Sequence, residues 1–292
     1  MTNINKWWLL VLVALPTLST CLSTNVVMSA LVSIGQTFPD VAGIGEWTLL
    51  IYSMTAASLS ILAGVLGDRY GLRKMYTIGL IIFLLGALGA SFATTGESLL
   101  VFRSLSGIGS AILAPVALAF LNRIFSGVEK PIAFGYWAAT ITIGNVIGPF
   151  LGGLIQSISS WRLTFPIAAL PALIALAFAG ILPAYKPGNT RKNIDIKGIA
   201  YLSALPAVIL FTLAMAGRLN PSSIIIFLSL IGIGFFTFWK HLNKTENPVI
   251  DLQILENYKW WRPSIIQLII RCLFMAMLIL LTGYFHSIQG LS

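Results

Sequence analysis

The chain has 292 residues, of which 57% are hydrophobic and 9% charged, with a formal net charge of +9. A water-soluble domain carries about 25% charged residues, so this composition cannot clothe an aqueous surface, and most of the surrounding solvent is lipid. The basic residues lie in short segments between apolar runs, where they set topology and meet anionic headgroups; a nucleic-acid partner is excluded.

Nine apolar stretches of bilayer-crossing length follow one another along the chain: 7–31, 47–67, 75–93, 98–121, 131–155, 163–182, 198–216, 222–239 and 263–285. Lipid offers backbone groups no partner, and no ten-residue alternation of a barrel is present. Each stretch is therefore expected to be an α-helix, and the fold an all-α polytopic membrane bundle.

The first stretch follows Lys6 and contains Leu18-Ser19-Thr20-Cys21, which would suit a cleaved lipoprotein signal. Thr20 is a poor residue before such a cysteine, and the run continues to Leu31, so an uncleaved first helix is expected. Cys21 and Cys272 have neither metal-type spacing nor a disulfide framework and read as packing residues.

Between the second and third stretches, GVLGDRYGLRK, Gly64 to Lys74, stops the apolar run with Asp68, Arg69, Arg73 and Lys74. Asp68 ends a helix, where the dipole disfavours an anion, so it needs cations nearby, and Arg69, Arg73 and Lys74 could supply them. Gly71 permits the tight return into the next helix. A plain solvated basic loop is the alternative.

With the amino terminus inside, fourteen of the eighteen Lys and Arg fall in cytoplasmic segments, Arg162 and Arg218 fall outside, and Arg103 and Arg271 fall within spans. The bias predicts a cytoplasmic amino terminus and, after an odd number of spans, an external Ser292.

Arg103 lies about 8 Å into the fourth span on the helical rise. It either snorkels outward or faces a cavity or partner. Arg271, about 12 Å into the ninth span, is expected to face a water-filled cavity.

In the fifth span, GNVIGPFLGG places Gly144, Gly148 and Gly152 four residues apart on one face, with Pro149 and Gly153 beside them. Such a stripe lets helices approach closely. It is either a pivot for a moving helix or a static seam. Pro16, Pro115, Pro149, Pro171 and Pro206 inside spans each remove a backbone donor and predict kinks or local breaks.

After the sixth span, Pro183, Pro187, Gly188 and Asn189 with a basic cluster predict a linker. Trp260 and Trp261 beside Lys259 and Arg262 suit the headgroup layer.

None of the nine acidic residues lies deep in a span. A proton carrier must titrate, which arginine effectively does not, so a proton-driven process would use Glu46 at the mouth of the second span, another edge carboxylate or a residue elsewhere. His241 and His286 sit at opposite span ends and cannot share a metal. No metal, cofactor or nucleophile-and-base constellation is present, so an enzyme is not expected.

Three of these stretches resemble motifs of the major facilitator superfamily. Gly64 to Lys74 is similar to its G-x-L-x-D-R-x-G-R-R/K turn, RSLSGIGSA from Arg103 to Ala111 to its R-x-x-Q-G-x-G-x-A helix, and Gly144 to Gly153 to its antiporter motif G-x-x-x-G-P-x-x-G-G. Trp47, Tyr52, Trp161, Arg162, Phe165 and Pro171 are similar to the fourteen-helix drug:proton antiporter branch.

The resemblance implies a six-helix amino-terminal bundle over 1–183 and a linker over 184–194. It also implies an inserted helix pair over 195–241, then a cytoplasmic segment and the first helix of an incomplete second bundle over 242–292. It implies a multidrug or small-molecule exporter of the inner (plasma) membrane, with protons as coupling ion and the bilayer as partner. Asp68, Arg69, Arg73 and Lys74, with Gly64 and Gly71, would form an inner gate. Arg103, Glu46 and Arg271 would handle protons or substrate, and Gly144, Gly148, Pro149, Gly152 and Gly153 would shape the moving helix.

On this view the chain is truncated after about nine helices and would not transport without a further chain; a non-transporting remnant or docking module is the alternative. Three positions depart from the motifs. Ser23 stands where the family's first helix usually carries a carboxylate, Ser106 replaces the fourth-helix glutamine, and Leu72 replaces a basic residue after Gly71.

Overall fold

The computed structural model describes residues 5–185, 195–215, 220–245, 249, 261–270 and 273. The helices are α1 Lys6–Met28, α2 Leu31–Thr37, α3 Ile44–Tyr70, α4 Leu72–Ser91, α5 Gly96–Ile124, α6 Glu129–Ile158, α7 Thr164–Phe178, α8 Ile196–Met215 and α9 Pro221–Lys244. Single 3-10 turns, Trp161–Leu163 and Ala179–Ile181, flank α7. There is no strand among the described residues. Among the described residues eight helices, counting α7 with its flanking turns, are long and apolar enough to cross a membrane, and the protein is a multi-pass membrane protein.

The first eight predicted stretches each coincide with one of these helices; of the ninth, 263–270 and 273 are helical and the remainder, with Arg271, lies outside the described residues. The first stretch ends earlier than expected. α1 stops at Met28, where Ala30 donates to Val27 O at 2.9 Å, and the chain restarts as α2. The restart lets Ile34 and Phe38 cover one end of the bundle against Ile44, Ala90 and Trp161.

The chain divides into two compact units, Met1–Thr237 and Phe238–Ser292. In the first, α5 packs against α3 and α4, α1 against α6 and α7, α4 against α7, and α8 against α3. Small residues set these approaches, because helices in lipid associate by close packing rather than by apolar burial alone. A Cβ at Gly107 of α5 would stand 2.7 Å from Tyr52 O of α3, and one at Gly79 of α4 would stand 2.9 Å from Ile112 Cγ2 of α5. In the second unit, Asn243 Nδ2 donates to Trp239 O at 3.0 Å and Thr245 Oγ1 to His241 O at 2.9 Å, closing the end of α9.

The helices run through Pro16, Pro115, Pro149, Pro171 and Pro206 without interruption, and the predicted breaks do not occur. Neighbouring side chains take up backbone groups around them. Pro16 cannot donate to Leu12 O, and Tyr76 of α4 donates its hydroxyl there instead, at 2.5 Å. Ala172, directly after Pro171, donates its N–H to Ser19 Oγ of α1 at 2.8 Å.

Candidate functional site

Arg103 of α5 is fully buried. It neither snorkels nor opens to solvent. Its Nε donates to Thr48 O of α3 at 2.9 Å, and Nη1 donates to Ser23 Oγ of α1 at 2.9 Å. Nη2 reaches Ser23 O at 3.5 Å. The guanidinium carbon lies 4.3 Å from the Tyr52 ring centroid and 5.6 Å from that of Phe165 on α7. No carboxylate lies within ion-pairing distance of it among the described residues.

Four helices thus meet on one cation held by carbonyl oxygens, a hydroxyl and aromatic faces. Each of these stabilises a positive charge in a low-dielectric interior, although less than a carboxylate would. Ser23, singled out in the sequence as a departure, is the direct partner of that charge. The partnership of Thr48 was not legible, because nothing in the sequence aligns α3 with α5.

The glycine face of α6 packs on α1. A Cβ at Gly144 would meet Cys21 Cβ at 2.7 Å, one at Gly148 would collide with Asn25 Cβ, and one at Gly152 would meet Ser29 Oγ at 2.6 Å. Gly153 has nothing within 4 Å of where its Cβ would stand. It lies off the seam.

Polar pairs run the length of the same contact. Lys6 binds Glu129, Trp137 Nε1 donates to Thr17 Oγ1 at 3.0 Å, and Asn25 Nδ2 donates to Asn145 Oδ1 at 3.0 Å. Further on, Ser29 Oγ donates to Pro149 O at 3.3 Å and Ser33 Oγ to Gln156 Oε1 at 2.9 Å. The partners are 120 or 123 residues apart throughout, which makes the chain from α1 into α2 a parallel neighbour of α6. Sequence reading found the glycines but not this partner helix.

At the charged turn, Gly71 adopts φ +93°, which favours glycine, and so α4 starts directly after α3. Asp68 Oδ1 lies 3.8 Å from Arg123 Nη2 at the end of α5. The counter-charge comes from another helix rather than from Arg69, Arg73 or Lys74. Arg123 also stacks on Tyr185 at 5.3 Å. Burial pushes the Tyr185 phenol up, and Arg123 partly offsets this. Gly64 lies 3.8 Å, by its Cβ position, from Pro115 Cβ, an ordinary packing contact. Glu46 sits exposed in the first turn of α3.

Membrane-length helices joined by small-residue seams, with a buried arginine and a charged inter-helix turn, define a polytopic helical membrane bundle. The sequence model of the Major Facilitator Superfamily matches residues 13–292, and the chain belongs to that superfamily.

It is 28% identical over 295 residues to the riboflavin transporter RibZ of Clostridioides difficile, covering 98% of this chain and 62% of that protein. It is also 28% identical over 259 residues to the multidrug efflux pump LfrA of Mycolicibacterium smegmatis, covering 87% of this chain and 51% of that protein. The crystal structure of the peptide transporter POT in complex with alafosfalin superposes with a TM-score of 0.58 at 16% identity, over 81% of this chain and 51% of that one. That likeness shows the fold. The chain spans less than two thirds of the length of these curated relatives.

Proposed function

We propose that the protein is part of a transporter that moves small molecules out of the cell by alternating access, exchanging them for protons. In this reading it lies in the plasma membrane with its amino terminus in the cytoplasm. The observation that carries the reading is the parallel α1–α6 seam, in which the glycines of the antiporter-like motif meet Cys21 and Asn25 of α1 and Ser29 just past its end. The likeness to a multidrug efflux pump supports export, and the likeness to a riboflavin transporter supports a small organic substrate. The excess of Lys and Arg in alternate inter-helix segments supports the orientation.

In this reading residues 1–183 form one rocking bundle, 184–194 a linker and 195–241 an inserted helix pair. The segment 242–292 leads into a second bundle. Asp68, Arg69, Arg73 and Lys74 form the inner gate around Gly71, with Gly64 at its edge. Arg103 holds α1, α3, α5 and α7 together as the bundle rocks, and so acts on substrate through helix position. Glu46, in the first turn of α3, and Arg271, which lies outside the described residues, handle protons or substrate alongside it.

The test is transport in everted membrane vesicles under an imposed pH gradient, with a fluorescent cationic dye and with riboflavin. Asp68→Lys is expected to cut flux at least about tenfold, the equivalent of about 1.4 kcal/mol, with an unchanged amount of protein in the membrane. Unchanged flux in that variant would sink the gate assignment. Flux indifferent to the pH gradient would sink proton exchange.

A further inference from the structure

At the charged end of the first unit a cleft of about 450 Å³ opens between the α3–α4 turn and the chain leaving α7. Tyr70, Gly71, Arg73, Lys74, Ala184 and Tyr185 line it. Its charge is one-sided. Asp68, the nearest acid in sequence, pairs with Arg123, and neither Arg73 nor Lys74 has a carboxylate within ion-pairing distance among the described residues. Lys74 Nζ stands 5.8 Å over the Tyr70 ring, and an Nη2 of Arg73 lies 3.6 Å from where a Gly180 Cβ would stand. Two cations, Arg73 and Lys74, therefore line a space large enough for a tetrahedral oxyanion, together with the phenol-bearing side chains of Tyr70 and Tyr185.

Gly71 has a backbone conformation that a side chain would strain, and a Cβ there would approach Tyr185 O to 3.5 Å. A planar guanidinium and a compact ammonium side by side are the usual protein answer to phosphate. An apolar row leads away from the cleft toward the membrane interior: Ile78 on its wall, then Ile81 and Leu85, both exposed, on the same face of α4. An anionic headgroup in the cleft with its acyl chains along that row would satisfy both surfaces.

We propose that this cleft is a phosphate-binding site, filled by the headgroup phosphate of an anionic phospholipid. Arg73 and Lys74 hold the phosphate oxygens, Tyr70 and Tyr185 donate to them, and Ile81 and Leu85 meet the acyl chain. The proposal concerns a site distinct from the transported substrate's and holds whether or not the protein exports anything.

The experiment is native mass spectrometry of the full detergent-purified chain titrated with phosphatidylglycerol, with phosphatidylcholine and with inorganic phosphate. The chain is expected to retain phosphatidylglycerol, and Arg73→Gln/Lys74→Gln to weaken that retention at least about tenfold. The charge-matched control Lys130→Gln/Lys244→Gln is expected to bind as the parent does. Ala184→Trp, which keeps both cations and fills the cleft, is expected to lose the lipid too, and this guards against misfolding of the double variant. Displacement by inorganic phosphate with the same variant dependence, without lipid retention, would keep the phosphate site and overturn the lipid as its source. Equal retention by the parent, the double variant and Ala184→Trp would overturn the site altogether.

Discussion

A fully buried arginine with no carboxylate at ion-pairing distance among the described residues is the residue-scale feature with the clearest energetic consequence. Desolvating a guanidinium is costly, and Ser23 Oγ, Ser23 O and Thr48 O return only part of that cost. A carboxylate at position 23 would supply the missing counter-charge at hydrogen-bonding distance. Ser23→Asp is therefore expected to raise thermal stability in detergent by about 1–3 kcal/mol, and Ser23→Ala to lower it by about 1 kcal/mol. A Ser23→Asp protein that melts earlier than its parent would show that the surrounding helices cannot hold a second charge. Tyr76 offers a neutral counterpart, since its hydroxyl completes the carbonyl left open by Pro16. Tyr76→Phe keeps the ring against Phe120 and loses only that bond, so thermal denaturation should report a loss of about 1 kcal/mol.

At the scale of elements, the α1–α6 seam has a steep dependence on side-chain size. Gly148 has no room for a Cβ against Asn25, whereas Gly153, five residues further on, faces open space. Gly148→Val is expected to destabilise the folded protein by about 1–3 kcal/mol through overpacking, and Gly153→Ala to leave it unchanged or to stabilise it by up to about 1 kcal/mol. Melting curves of the two variants side by side check the pair; similar losses at both positions would mean that the seam is not the contact that sets helix spacing. The polar pairs along the seam fix its register, because a slip of one residue would separate Asn25 from Asn145 and Thr17 from Trp137 together.

For the whole molecule, charge distribution and helix length together predict which end faces the cytoplasm. Tyr70, half exposed beside Asp68, is a suitable reporter. In a Cys21→Ser/Cys272→Ser background, Tyr70→Cys should react with a membrane-impermeant maleimide only after the cells are permeabilised. Labelling of intact cells would reverse the topology and move the charged cleft to the opposite surface. The helices on which the bundle depends are also tied at their far ends: Arg162 Nη2 donates to Ala93 O at 2.8 Å and Trp161 Nε1 to Thr37 Oγ1 at 2.9 Å. Those ties bring α2, α4 and the turn before α7 to one level.

The sequence by itself determined the solvent, the class of fold and the places where charge interrupts hydrocarbon. Lipid demands long apolar helices with satisfied backbones, and that demand is written locally, in twenty-residue runs and in where Lys and Arg fall. Even the residues that matter in the seam and the node, Gly144, Gly148, Gly152 and Arg103, stood out from their neighbours in the chain. What they touch was decided only by the tertiary structure. The pairing of α1 with α6 across 120 residues, the meeting of Arg103 with Ser23 and Thr48, and the turn of Asp68 toward Arg123 each depend on which helices lie side by side. In lipid that choice rests on close packing and a few hydrogen bonds summed over whole helix faces, a quantity that no single stretch of sequence contains.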